Sequence, residues 1–105
     1  MSQHRYETRL ADGTPVTVTA GWDRPLGWLY LNIEGPLDDP RSDEDGFFYS
    51  NLHDVRAPTT DWSYFVGKLS AYGIVLPEMM TAAIARDMAN NVGNHEVNWS
   101  SAAGS

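Results

Sequence analysis

The chain has 105 residues, 42% of them apolar and 11% aromatic, with no cysteine and a net charge of −7. That size and composition fit one globular domain, and the absence of thiols excludes disulfides, thiolate catalysis and thiolate metal sites. The acidic balance repels phosphate backbones at long range, six of the seven basic residues are dispersed arginines, and no apolar run reaches the roughly 18 residues that span a bilayer.

Residues 1–7 lack the apolar stretch of a secretory signal, so the expected location is the cytoplasm. From His4 to Leu10 the pattern alternates, with Tyr6, Thr8 and Leu10 on one side and Arg5, Glu7 and Arg9 on the other. Val16, Val18 and Ala20 alternate again after a turn signal, Ala11-Asp12-Gly13-Thr14-Pro15. Parity sets the loop length. A two-residue loop mixes the faces, whereas a three-residue loop, Ala11-Asp12-Gly13, sets Thr8 opposite Val16 and Tyr6 opposite Val18. Gly13 then takes the left-handed position of a bulge.

A Pro-centred turn, residues 21–27, leads to the strongest strand signal, with Leu29, Leu31 and Ile33 on one face and Trp28, Tyr30, Asn32 and Glu34 on the other. Residues 35–46 form a loop with two prolines, two glycines and many acids. Residues 47–52 read as a fourth strand, and residues 53–60 as a connector. The period then changes. Trp62, Phe65, Val66, Leu69 and Tyr72 fall at helical spacing, with Thr60 or Asp61 as the cap and Gly73 at the C-terminal left-handed position. Ile74-Val75-Leu76 forms a bridge. Pro77 and Glu78 open a second helix to about Val92, with Met80, Ala83, Ile84 and Met88 as its stripe.

The expected fold is therefore α+β: a four-stranded antiparallel meander, in the order β-β-β-β-α-α, with both C-terminal helices on one face. The whole chain, residues 1–105, is one domain, ordered over about 4–93 with a mobile C-terminal tail from about 94 to 105.

Motifs that carry chemistry are sparse. His4, His53 and His95 are far apart and show no metal-ligand spacing. His53-Asp54 followed by Asp61 could supply a base and its orienting carboxylate, but adjacent residues rarely face each other and no serine lies in a nucleophile elbow. The acidic run 38–46 fails as an EF-hand because Arg41 and Leu52 occupy ligand positions. No catalytic, metal-binding or cofactor-binding residue is assigned. Asp43, Glu44 and Asp45 instead offer an acidic patch to a basic partner. Trp22, Trp28 and Tyr30, with Arg5 and Arg9 nearby, form a candidate interaction surface on the outer face of the sheet.

Three segments, Gly21-Trp22-Asp23-Arg24-Pro25-Leu26, Tyr49-Ser50-Asn51-Leu52 and Gly73-Ile74-Val75-Leu76-Pro77-Glu78, resemble a family of small bacterial proteins of unassigned function associated with plasmids and other mobile elements. The resemblance spans about residues 5–99. It implies a bacterial, cytoplasmic accessory protein and transfers no functional residue.

The expected function is that of a non-enzymatic interaction or regulatory module acting by protein–protein contact, in a homodimer, with no membrane association. The alternative is a nucleic-acid-binding regulator using a local Arg/aromatic surface against the unfavourable net charge.

Overall fold

Gly13 decides the first hairpin. Its φ is +87°, the left-handed conformation that a Cβ disfavours. The computed structural model describes residues 1–100 of the chain. Strands β1 (Ser2–Arg9) and β2 (Pro15–Asp23) pair antiparallel with Thr8 opposite Val16 and Tyr6 opposite Val18. Leu10 N–H donates to the Thr14 carbonyl at 2.9 Å, closing the three-residue loop that parity requires. Gly13→Ala is expected to cost about 1 kcal/mol, measured by urea unfolding. An unchanged midpoint would refute the conformational argument.

Strand β3 (Trp28–Glu34) continues the meander antiparallel to β2, and β4 (Phe47–Ser50) follows it antiparallel to β3. The fourth strand stops at Ser50. Residues 51–53, placed at its end or just after it by pattern, form a 3-10 turn, Asn51–His53. Ser50 caps that turn, its hydroxyl accepting from Leu52 N–H at 3.3 Å.

Helices α1 (Trp62–Ala71) and α2 (Glu78–Ala89) follow. Asp61 caps α1 by accepting from Ser63 N–H at 3.1 Å, and Gly73 past its end has φ +72°. Helix α1 buries only Phe65 and Leu69 fully, leaving Val66 exposed. Helix α2 ends at Ala89, three residues before the expected Val92, and buries Met80, Ile84 and Asp87. Val18, Ala20, Leu29, Leu31 and Ile33 share one core with Phe65, Leu69, Met80 and Ile84. Both helices therefore serve one face of the sheet.

The sheet differs from a four-stranded meander. A fifth strand, β5 (His95–Asn98), lies parallel to β1 at the sheet edge, giving the order β4-β3-β2-β1-β5. The ordered chain thus reaches past residue 93, and the expected mobile tail is corrected over 95–98. Its last part, residues 101–105, lies outside the described residues. The chain is also ordered earlier than expected, since β1 begins at Ser2. The physical reason is the edge. The outer backbone groups of β1 need partners, and β5 with the two residues after it supplies them: Trp99 N–H donates to the Arg5 carbonyl at 2.8 Å, and Ser100 Oγ accepts from Glu7 N–H at 2.7 Å.

Candidate protein-contact platform

Strand β3 is longer than β4, so its first half has no strand neighbour on that side. The connector between β4 and α1 fills the gap. Leu31 N–H donates to Asn51 Oδ1 at 3.1 Å, and Leu29 N–H donates to the Thr59 carbonyl at 2.7 Å. Buried backbone donors require such partners. The connector is thereby fixed at both ends to the central sheet.

Asp54 fixes its middle. One carboxylate oxygen accepts from two phenols, Tyr49 of β4 and Tyr64 of α1, each at 2.7 Å. The other oxygen accepts from Arg56 N–H at 3.1 Å. The Lys68 ammonium lies over the rings of the same two tyrosines, 5.7 and 5.1 Å from their centroids, and adds a cation–π contact. The phenol hydrogen bonds, with smaller contributions from Arg56 N–H and Lys68, hold the Asp54 carboxyl below its ordinary value of 3.8. Burial first, then the Asp54 bond, raise the Tyr49 phenol above its ordinary value of 10.

A carboxylate with a depressed folded-state pKa stabilises the fold above its unfolded value, and that contribution is lost as pH falls through the folded value. The connector is expected to loosen below about pH 4. Hydrogen exchange of the 54–57 amides reports this, and Asp54→Asn should abolish the local acid dependence. An unchanged acid profile in that variant would assign it to other carboxylates.

Beside this network two large aliphatic side chains of the connector face solvent. Leu52 is 72% exposed and Val55 fully exposed. With Trp28, Ala57 and Pro58 they line a depression of about 250 Å³ beside β3. A loop held by its polar groups while it presents large aliphatic side chains to solvent inverts the usual arrangement. Exposed aliphatic side chains grouped beside a depression of mixed lining, which also includes Asn51, Asp54 and Thr59, are a candidate contact site. Rigid presentation also lowers the ordering cost of binding.

The residues singled out from the sequence divide between surface and interior. Trp28 is half-buried at the platform edge. Trp22 is buried on the core face, its indole N–H donating to Asn91 Oδ1 at 2.9 Å. It continues the parity of Val18 and Ala20, which removes it from the outer surface. Tyr30 does lie on the outer face but is also buried. Its ring sits opposite Gly21, and its hydroxyl donates to the Ser2 carbonyl at 2.8 Å. Arg5 and Arg9 are exposed on β1, separated from Trp28 by the whole of β2. Arg5 pairs with Glu7 at 2.9 Å, and Arg9 donates to the Gly13 carbonyl at 3.0 Å.

The acidic residues take two roles. Asp43 builds its own turn, accepting from Asp45 N–H at 2.8 Å and Phe47 N–H at 3.0 Å. These bonds, Phe47's first, lower its carboxyl pKa. Its second oxygen lies 3.4 Å from His53 Nδ1, next in sequence to Leu52. Glu44 and Asp45 are exposed beside it. The acidic loop thus adjoins the platform. His53 and Asp54 do not pair with each other, and Asp61 is occupied at the helix cap. No group of three potential metal ligands converges among the described residues. No helix of the described residues is long and apolar enough to cross a membrane.

Sequence reasoning missed Leu52, Val55 and the anchoring role of Asp54. Leu52 was hidden by its place at the end of the expected fourth strand, and the available signal was Val55, an aliphatic residue isolated in a polar connector. No family model, curated protein or solved structure matches the chain.

Proposed function

We propose that the chain is a non-enzymatic interaction module that acts by protein–protein contact through the Trp28–Leu52–Val55 platform. The observation that carries this reading is the exposure of Leu52 and Val55 on a connector held in place by Asn51 and by the Asp54 carboxylate's bonds to Tyr49 and Tyr64. The adjoining Asp43, Glu44 and Asp45 favour a partner with an apolar anchor and a basic flank. The resemblance to small plasmid-associated bacterial proteins supports a cytoplasmic accessory role, and two-fold self-association through the same platform is part of the reading. The nucleic-acid alternative is weaker, because burial of Trp22 and Tyr30 removes two rings from its stacking surface.

The test is the double variant Leu52→Ser, Val55→Ser. Both side chains are exposed, so unfolding stability should change by less than about 0.5 kcal/mol. Light scattering coupled to gel filtration reads self-association, and nuclease-treated capture from bacterial lysate reads other partners. The wild type is expected to exceed 11.7 kDa or to capture proteins that the double variant does not. A monomeric wild type whose captured proteins match those of the double variant would remove the platform from consideration.

A further inference from the structure

His4 is fully buried on β1, and both of its ring nitrogens are engaged. Nε2 lies 2.6 Å from Asp87 Oδ2 on α2. Nδ1 lies 3.0 Å from the indole Nε1 of Trp99, just past β5. An indole N–H only donates, so Nδ1 must accept. The imidazole is therefore neutral, with its proton on Nε2 donated to Asp87. Three elements distant in sequence meet at this ring.

From this geometry we infer that His4 is a protonation-controlled latch for the C-terminal strand. Uptake of a proton at Nδ1 turns the acceptor into a donor and sets two N–H groups against each other. The Trp99 hydrogen bond is then lost, while the imidazolium keeps Asp87 as its partner. The groups facing His4 decide the direction. Asp87 from α2 holds the ring whether neutral or charged. His95 from β5 has its ring centroid 6.1 Å away and adds repulsion when it is also protonated. Ala20 of β2 lies directly opposite and cannot titrate. Tyr6 is the next residue of β1 on the same face.

Apart from this ring, β5 is held by backbone bonds to β1, by Ser100 Oγ accepting from Glu7 N–H and by the N-terminal ammonium donating to Asn94 Oδ1. It has four residues, of which only Val97 is even half-buried, and its ladder to β1 is parallel. Trp99 is half-buried and stacks on His4 with an interplanar angle of 26°. It therefore ties the end of the strand to the core face through its side chain. Loss of its hydrogen bond weakens the hold on β5 and raises the fraction of molecules in which the outer backbone groups of β1 are exposed. The edge for strand addition thus becomes available in acid and is closed when His4 is neutral.

The test follows the wild-type protein by nuclear magnetic resonance between about pH 8 and pH 5, the range in which imidazoles change charge. Ring-nitrogen shifts report the His4 tautomer, and amide exchange reports β5. The expected result is an Nε2–H tautomer at the upper end. Protection factors at residues 96–99, corrected for the intrinsic pH dependence of exchange, should fall about tenfold in step with His4 protonation, with those of β2 and β3 unchanged. His4→Gln presents an acceptor to Trp99 and a donor to Asp87 without titrating, and it should lose the step. If that variant does not fold, the wild-type titration alone decides. A His4 that protonates while β5 protection stays constant, or an Nδ1–H tautomer at the upper end, overturns the latch.

Discussion

Gly21→Ala is expected to destabilise the fold by about 3 kcal/mol, one of the largest effects of any single methyl addition in this chain. A Cβ at Gly21 would run into the backbone carbonyl of Ser2, and a backbone cannot move aside as a side chain can. That carbonyl is also the acceptor for the Tyr30 hydroxyl, whose ring lies across the glycine from the neighbouring strand. Trp22 N–H donates to Ser2 Oγ at 2.9 Å in the same region. One methyl group therefore strains the β1–β2 approach and disturbs two buried hydrogen bonds. Tyr30→Phe separates the contributions, since it removes only one bond and should cost about 1 kcal/mol. Urea unfolding measures both. A Gly21→Ala protein within about 0.5 kcal/mol of wild type would show that β1 can shift outward without penalty.

Phe65→Ala should cost about 3–5 kcal/mol. Phe65 is fully buried and touches three other rings, Tyr49, Trp62 and Tyr64, at centroid distances of 6.4, 5.8 and 5.8 Å. Because α1 buries only one other residue completely, Leu69, the helix has little else to hold it. The loss should extend to the platform. Tyr64 reaches Asp54 only while α1 is seated, so the connector that displays Leu52 and Val55 should exchange faster in the variant. Val66→Ala, on the exposed flank of the same helix, is the control and should change stability by less than about 0.5 kcal/mol. A Phe65→Ala protein with undiminished protection at residues 54–57 would show that the platform is independent of α1.

The two predictions concern different kinds of information in the chain. Phe65 is legible from helical spacing. Gly21 reads as a turn residue before a Pro-centred loop, yet it lies inside β2, and its necessity comes from Ser2, nineteen positions away. The same contrast runs through the candidate surface. Trp22, Trp28 and Tyr30 form one aromatic group in sequence, but the structure buries Trp22 under α2's C-terminal turn and Tyr30 over a glycine. Only Trp28 keeps the expected exposure. Asp43, counted among surface acids, spends one oxygen on its own turn.

Local chemistry was enough, from the sequence by itself, to determine the α+β class, the three-residue hairpin loop with Gly13 at positive φ, the pairing of Thr8 with Val16, a cap at Thr60 or Asp61 and the core stripes of β2 and β3. Each rests on alternation, helical spacing or a backbone conformation that one residue type tolerates, and all of these act within a few positions. Only the tertiary structure decided the fifth strand, the burial of His4 against Asp87 and Trp99, and the platform of Leu52 and Val55. Those depend on pairs 83 and 95 residues apart for His4, and on two tyrosines from different elements meeting one carboxylate. A short polar strand such as His95–Asn98 has almost no periodic signal of its own; it is ordered because the edge of β1 leaves backbone groups that must be satisfied, and that demand exists only once the sheet has formed.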